Sequence, residues 1–286
     1  MTEDAVRDLS PGQVFFDYGP VSMVVTAMRD GNPETILCRS AFSVIEAKLG
    51  ELSAVLPLLM QNPRHIDPAQ LTGTPEVMLR AVLATGDPLL TPMATVAGVM
   101  SDAVADYLFS QGATKVIANN GGDIALRLAP HEHVRLGIVT DLARGTVDQV
   151  LDLPGSAGVG GVATSGLGGR SFTLGIASAV TVFSARCVAA DALATLLANK
   201  TYLDLPAVHT CLAGELSPES DIADLMVVTS VDPLTPPQID RALTQALDEA
   251  ALQYQKGNLM GMTATVQGRT VCFDPLHLFN NQPNII

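Results

Sequence analysis

The sequence predicts an α+β protein in which strands and helices occur in groups. Hydrophobic residues make up 48% of the 286 residues and charged residues 16%, so the chain can bury a sizeable core. Strand-like and helix-like segments follow one another in groups rather than in strict alternation. That order favours α+β over a doubly wound parallel sheet, and we expect one two-lobed domain over residues 1–286.

The first quarter of the chain predicts strands, then a helix, then a loop. Residues 13–29 mix β-branched and aromatic residues, which is typical of strands. A turn follows at residues 30–33, and residues 34–39 are expected to form the returning strand. Residues 40–60 carry apolar side chains at helical spacing, whereas residues 61–75 contain several prolines and predict a loop.

The clearest helix begins at Thr91-Pro92. Threonine is a residue type that caps helix N-termini, and proline suits the first helical position. Apolar side chains then trace one face as far as Leu108, and Gly112 is expected to end the helix.

The middle of the chain predicts a hairpin with a glycine turn. Residues 115–119 read as a short strand, and residues 124–128 as the next strand, with the turn at residues 120–123. We expect residues 131–140 to pair with the second of these strands. The two glycines of the turn permit positive φ angles and a close backbone approach.

The remaining segments complete the predicted elements. Residues 154–169 contain seven glycines, which is typical either of a flexible linker or of a loop whose backbone approaches another group. Residues 172–183 predict a strand and residues 187–197 a helix. Further helix and hairpin patterns follow after residues 235–237 and over residues 262–273, respectively.

The charge of the chain limits its partners. The formal net charge is −13, from 16 basic and 29 acidic side chains, which disfavours nucleic acid and anionic membranes. A small phosphate-bearing ligand remains compatible, because backbone N–H groups and a metal ion can bind it locally. The charged N-terminus lacks a signal-peptide pattern, so we expect a cytoplasmic protein. The oligomeric state stays open, a homo-oligomer included.

The cysteines form neither a zinc-binding spacing nor a disulfide framework, and free thiols are expected. They are Cys38, Cys187, Cys211 and Cys272. Cys187 lies at the predicted start of a helix beside Arg186, where the helix dipole and the guanidinium would lower the thiol pKa. The alternative is a small buried hydrophobic residue. Cys38 is the competing candidate for a reactive thiol.

Asp191 and Thr195 are the candidate metal ligands. They are four residues apart and therefore share one face of the predicted helix. A carboxylate and a hydroxyl on one face provide hard oxygen ligands of the kind that Mg²⁺ or Ca²⁺ binds. The alternative is an acidic residue that favours the helix dipole, with an ordinary threonine beside it.

Two further segments carry polar and glycine residues. Asn119–Asp123 is either an ordinary hairpin turn or a place where the backbone approaches a ligand. Thr164-Ser165-Gly166 ends the glycine-rich segment and could offer hydroxyl and N–H groups to a phosphate.

Taken in order, three motifs resemble the ApbE-type FAD:protein FMN transferases: N-G-G-D-I at 120–124, A-T-S-G at 163–166 and A-D-A-L-A-T at 190–195. The resemblance implies an ApbE-like two-lobed fold of sheet and helices. It also implies that Asp191 and Thr195 hold Mg²⁺, which in the family binds the pyrophosphate of FAD. The cofactor that it implies is therefore FAD or the related flavin FMN. The cofactor-binding residues that it implies are Gly98, Asn120, Gly121, Gly122, Asp123, Thr164, Ser165 and Gly166.

The best motif match covers residues 90–200, where T-P-M-A-T-V-A-G at 91–98 is similar to an uncharacterised branch of this superfamily. Members of that branch have been linked to sulfide assimilation and homocysteine synthesis. The chain departs from the family pattern where the transferases carry Lys-Gly, which is Ala97-Gly98 here, and it lacks their His-x-x-Asp-Pro run. The usual His, Lys and Asp of the closer branch correspond to Arg170, Ile176 and Ser178.

Three hypotheses follow. The first is an ApbE-like protein that binds a flavin or another nucleotide with a divalent metal. The departures from the family pattern argue against FMN transfer itself, and they leave open whether the protein is a transferase of another kind. The second is a sulfur-handling factor that uses a thiol and takes a sulfur-containing small molecule. The third is a non-catalytic family member that binds or scaffolds a partner.

Overall fold

A computed structural model describes residues 5–145 and 147–279, and within them one large antiparallel sheet dominates. The strands are β1 (Val6–Ser10), β2 (Gln13–Tyr18), β3 (Val21–Arg29), β4 (Asn32–Pro33), β5 (Lys115–Asn120), β6 (Asp123–Leu128), β7 (His133–Val139), β8 (Val147–Pro154), β9 (Gly161–Ser165), β10 (Ala179–Ser184), β11 (Val208–Leu212), β12 (Met226–Val231), β13 (Gly261–Val266) and β14 (Arg269–Phe273). Ten of them form the large sheet in the order β1-β2-β3-β5-β6-β9-β10-β13-β14, and β4 pairs with β3.

Eight α-helices accompany the strands in the described part of the chain. They are α1 (Thr35–Ser40), α2 (Phe42–Ala54), α3 (Leu56–Leu59), α4 (Thr74–Thr85), α5 (Val96–Ser110), α6 (Cys187–Lys200), α7 (Ala213–Leu216) and α8 (Pro236–Gln255). This mixture of an antiparallel sheet with grouped helices confirms the α+β prediction. None of the described helices has the length and apolar character needed to cross a membrane.

Helices α5 and α6 run antiparallel beside the sheet. Three contacts define their register: the Val188 N–H donates to Asp102 Oδ2 at 3.0 Å, the Gly98 N–H donates to Asp191 Oδ2 at 2.8 Å, and Lys200 Nζ lies 3.4 Å from Asp87 Oδ2 just before α5. As the residue numbers rise along α6, those of their partners therefore fall. The buried apolar residues of α5, such as Met100, belong to one core cluster, and most of those of α6, such as Leu193, belong to a second.

The prediction that residues 131–140 pair with the strand at 124–128 is wrong. The neighbour of β6 is β9, with Ile124 opposite Val162, and β7 instead pairs with β8 in a separate two-stranded sheet. Alternate residues of β7, such as Leu136, are buried against a cluster that includes Phe183. Burial of this face explains why the hairpin folds over the sheet rather than extending it.

The strand expected at residues 34–39 is also wrong, because this segment is α1. Strand β4 ends after two residues at Pro33, which has no N–H to donate to a neighbouring strand. The Glu34 N–H still bonds Ala27 O at 3.0 Å, and the Cys38 N–H then bonds Glu34 O at 2.9 Å, which begins the helix.

Residues 172–178 are not strand, and β10 begins only at Ala179. Side chains at the C-terminal end of α6 accept hydrogen bonds from backbone N–H groups that would otherwise pair with a neighbouring strand. Asn199 Oδ1 accepts from the Leu174 N–H at 2.9 Å, and Thr201 Oγ1 accepts from the Ile176 N–H at 2.9 Å. The segment is therefore fixed to α6 instead of to another strand.

The predicted helix start at Thr91 needs one correction. Pro92–Thr95 is a single 3-10 turn, and α5 begins after it. Thr91 does not cap this helix, because its hydroxyl donates to the carboxylate of Asp221, far along the chain. The helices and the final hairpin predicted for residues 40–60, 187–197 and 235–273 are present.

Candidate functional site

A cavity of about 400 Å³ is lined by residues of α5, of α6 and of the turn between β5 and β6. The sequence-predicted residues that line it are Asn120, Gly121, Asp123, Thr164, Ser165, Gly166, Asp191 and Thr195. Its size falls in the lower part of the range of ligand cavities, which is roughly 300–1,000 Å³. Gly98 and Gly122 do not line the cavity.

Gly98 does not touch the cavity but allows α5 and α6 to approach each other closely. A Cβ at this position would lie 2.6 Å from the carbonyl oxygen of Cys187 and 2.8 Å from Cβ of Asp191. Only glycine fits such a contact without moving α5 away from α6. The same approach brings the Gly98 N–H to 2.8 Å from Asp191 Oδ2, so this glycine fixes one oxygen of the carboxylate.

The pKa values of Asp191 and Asp123 are both raised. Burial is the largest cause for Asp191, and the neighbouring Asp123 charge adds to it, whereas the Gly98 N–H opposes it. Burial raises the pKa of Asp123 to about 7, against a backbone hydrogen bond from Thr164 and the charge of Arg170. Ionising both carboxylates together is therefore unfavourable, and a bound cation would relieve the repulsion.

The turn between β5 and β6 depends on its two glycines. Gly121 and Gly122 have φ angles of 70° and 111°, a region that other residue types rarely occupy. Asn119 Oδ1 accepts from the Gly122 N–H at 2.9 Å, and Asn120 Oδ1 accepts from the Ser22 N–H at 3.2 Å. Both asparagines therefore hold the turn in place, while Asn120 also lines the cavity.

The Arg170 guanidinium lies directly against Gly121, where a Cβ would collide with Nη1. Arg170 is exposed at the edge of the cavity and, within the described residues, makes no hydrogen bond or ion pair. In a chain with a net charge of −13, this cation lowers the pKa of Asp123 and is placed to attract further anionic groups at the cavity edge. By contrast, Ile176, another position that departs from the related branch, is buried in the core.

The segment Thr164–Gly166 forms the end of β9 and the start of the next loop. The Thr164 and Thr181 hydroxyl oxygens lie 2.9 Å apart across β9 and β10. Gly166 has a φ of 151°, and a Cβ there would lie 2.9 Å from the Ala177 carbonyl oxygen. Close packing of the loop against residues 177–179 thus explains the glycine and places Ser165 at the cavity wall.

Asn199 and Asp221 also line the cavity, although neither was predicted. Asn199 could have been found, because it continues the four-residue spacing of Asp191 and Thr195 on α6. Asp221 lies between β11 and β12 and reaches the cavity through its hydrogen bond with Thr91. A contact across 130 residues of sequence leaves no local pattern by which to find it.

The metal-binding prediction has a limited donor set. Among residues 5–145 and 147–279, no three His, Cys, Asp or Glu side chains are grouped so that they could hold a metal ion. Asp191 and Thr195 provide hard oxygen donors at the cavity wall, which suits Mg²⁺ chemically. The rest of the coordination sphere would come from water and from the ligand, so these residues fit an ion that bridges protein and ligand.

Of the two interpretations of Cys187, the small buried hydrophobic residue is confirmed, and the lowered thiol pKa is wrong. Cys187 is fully buried, and burial together with the charge of Asp102 raises its pKa well above the ordinary value. The Arg186 guanidinium contacts Asp106 Oδ2 at 2.7 Å instead of favouring the thiolate. Cys38 is fully buried as well, and burial raises its pKa to about 11. Neither thiol has the exposure or the charge environment of a reactive cysteine.

Comparisons with known proteins support the family resemblance. Residues 6–272 match the family model described as AbpE bacteria. A UPF0280 protein of Methanothermobacter thermautotrophicus is 34% identical over 154 residues, which are 53% of this chain and 59% of that relative. The chain thus spans about 59% of the length of this curated relative.

Two further comparisons cover larger shares of the chain. A UPF0280 protein of Methanococcoides burtonii is 30% identical over 181 residues, which are 62% of this chain and 73% of that relative. The crystal structure of the Pseudomonas stutzeri flavinyl transferase ApbE, in its apo form, is 15% identical with a TM-score of 0.47. That comparison covers 96% of this chain and 99% of the transferase.

Proposed function

Because the chain belongs to the family described as AbpE bacteria, we propose that its cavity binds a flavin nucleotide, FAD or FMN, together with Mg²⁺. One observation carries the proposal. Asp191 and Thr195, on one face of α6, line the same cavity as the glycine turn at 120–123 and the segment 164–166. Hard oxygen donors, an open glycine turn and backbone N–H groups together suit a phosphorylated ligand.

Asp191 and Thr195 are the residues that would hold the ion. When bound, Mg²⁺ would neutralise the phosphate charge and join it to the acidic cavity wall. Asp191 offers one carboxylate oxygen to this task, because the Gly98 N–H occupies the other. The Thr164 and Ser165 segment and the glycine turn would contact the phosphate oxygens, with Arg170 at the edge.

The proposal concerns binding and does not extend to FMN transfer. The transferases that the sequence resembles carry Lys-Gly where this chain has Ala97-Gly98, and Ala97 lines the cavity. A small apolar side chain there cannot hold or move a proton. The cavity therefore offers positioning and electrostatic binding without that lysine.

Calorimetric titration of FAD and FMN, with and without Mg²⁺, tests the proposal. We expect Mg²⁺ to strengthen flavin binding by at least about tenfold, because the two side-chain donors leave most of the coordination sphere to the ligand. The Asp191→Asn and Thr195→Val variants should lose this enhancement. Asp248→Asn, which removes an exposed carboxylate from helix α8 away from the cavity, is the matched control. Equal affinities with and without Mg²⁺ in the wild-type protein would contradict the proposal.

A further inference from the structure

The cavity has two chemically different ends, and the helix register separates them. Asp191 lies opposite Gly98, close to the β5–β6 turn, whereas the C-terminus of α6 lies beside the segment that precedes α5. Asn199 is eight residues beyond Asp191 on α6, so the two are about 12 Å apart along the helix axis. We call the other end of the cavity, which is lined by Thr91, Asn199 and Asp221, the far end.

Asp221 presents a carboxylate at the far end. The Thr91 hydroxyl donates to Asp221 Oδ2, and Thr91 itself is buried, so this contact fixes the carboxylate orientation. Asp221 lines the cavity, and within the described residues its other oxygen, Oδ1, accepts no hydrogen bond. The far end thus contains an oriented hydrogen-bond acceptor with free capacity.

Asn199 presents a donor at the same end. Its Oδ1 accepts from the Leu174 N–H at 2.9 Å, and this bond identifies the oxygen of the amide. Among residues 5–145 and 147–279, Nδ2 donates to no partner, so it remains as a donor, and Asn199 lines the cavity. A donor on α6 and an acceptor between β11 and β12 therefore line the same cavity.

Apolar side chains complete the walls of the cavity around this pair: Leu89, Leu90, Leu174 and Ile222. Apolar walls with a few oriented polar groups are typical of sites for planar organic ligands, in which the polar groups determine orientation. No basic residue lines the cavity among the described residues except Arg170, which lies against the glycine turn. The anionic part of a ligand is therefore favoured at that turn and its uncharged part at the far end.

We infer that the far end binds the heteroaromatic ring of the nucleotide through a ring edge that carries an N–H donor beside an acceptor. Asp221 accepts from an N–H group of that edge, either a ring N–H or an exocyclic amino group, and Asn199 donates to the neighbouring ring nitrogen or carbonyl oxygen. Adenine and the pyrimidine edge of isoalloxazine both carry such an edge. This inference rests on the proposed function and assigns the specificity-determining residues of the same cavity.

Calorimetry with four probes, each in the presence of Mg²⁺, tests the inference: FAD, FMN, AMP and inorganic pyrophosphate. Asp221→Asn keeps an oxygen for Thr91 but replaces the free acceptor with a donor. Asn199→Asp keeps the oxygen for Leu174 and removes the donor. Asp224→Asn removes an exposed carboxylate from the same chain segment outside the cavity and is the matched control for charge.

We expect Asp221→Asn and Asn199→Asp each to weaken FAD binding by about tenfold or more, the usual effect of losing a hydrogen bond to a charged or oriented group. Pyrophosphate affinity should change less than about twofold. Whichever of FMN and AMP weakens in the same way identifies the ring at the far end. Thermal unfolding of each variant checks that the fold is retained, and the two variants act on separate elements.

Two results would overturn the inference alone. One is FAD binding by Asp221→Asn and Asn199→Asp equal to that of Asp224→Asn. The other is an equal loss for pyrophosphate, which would mean that Asp221 acts on the ion or the phosphate. A wild-type protein that binds pyrophosphate but neither FAD, FMN nor AMP overturns the flavin proposal and the ring inference together. A wild-type protein that binds none of the four probes does the same.

Discussion

The backbone N–H of Gly98 lies 2.8 Å from Oδ2 of Asp191 and donates a hydrogen bond to it. This contact joins α5 to α6 at the point where both helices border the cavity. A side chain on Gly98 would collide with the Cys187 carbonyl and with Asp191 itself. The glycine therefore determines the helix spacing and the orientation of the candidate metal ligand at the same time.

Gly98→Ala should destabilise the protein by about 1–3 kcal/mol, as overpacking of a buried contact usually does. The close backbone atoms of Cys187 cannot move without shifting α6, so the gain in helix propensity does not offset the collision. Gly50→Ala in α2 is the matched control, because a Cβ there meets nothing within 4 Å. It should raise the free energy of unfolding by about 0.5–1 kcal/mol. Denaturant unfolding compares the two variants, and similar stabilities would contradict the contact.

Asp123 should make the metal-free protein less stable as pH rises. Its folded pKa of about 7 lies above the ordinary value of 3.8, so the folded state holds a proton that the unfolded state has released between these pH values. The stability contribution is complete below about pH 4 and is lost as pH rises through about 7. We expect Asp123→Asn to melt at least about 2 °C above the wild type at pH 8, with no such gain at pH 4.

Melting temperatures measured from pH 4 to 8 in the presence of a chelator check this expectation. Asp248→Asn controls for the removal of an exposed negative charge. Parallel curves for the wild type and Asp123→Asn would show that Asp123 titrates normally in the folded state.

Arg170 should attract the anionic part of the ligand. Its guanidinium lies at the cavity edge against Gly121 without a hydrogen-bond partner in the described chain. Arg170→Gln should weaken pyrophosphate binding by about tenfold and make the remaining affinity less sensitive to salt. Arg135→Gln on strand β7, exposed and outside the cavity, should bind within about twofold of the wild type. Calorimetry at two salt concentrations separates these outcomes, and equal losses in both variants would argue for a general charge effect.

The cysteines should differ in their reaction with an alkylating agent. Cys211 is partly exposed and should react first, and Cys272 should react slowly because burial and Asp274 raise its pKa to about 12. Cys38 and Cys187 are fully buried and should react only after unfolding. Limited alkylation followed by mass spectrometry gives the order. Labelling of Cys187 in the native protein as fast as in the unfolded chain would restore the sulfur-handling hypothesis.

The sequence by itself determined the parts of the site that depend on local spacing. The four-residue separation of Asp191 and Thr195 places them on one helix face, and the structure adds Asn199 to the same stripe. The Asn-Gly-Gly-Asp segment forms the predicted turn because glycine alone adopts its φ angles readily. Helical periodicity likewise predicted α2, α6 and α8. These features arise from interactions between residues that are close in the chain.

Only the tertiary structure decided the features that depend on distant segments. Residues 34–39 became a helix because the sheet pairing ends at Pro33, and β6 paired with β9 because β7 covers another apolar cluster. Asp221 reaches the cavity through Thr91, and no local pattern connects the two. Burial raises the pKa of Cys187, although its place at a helix start beside Arg186 favours the opposite shift. Burial and long-range contacts depend on the whole fold, so they override what neighbouring residues predict.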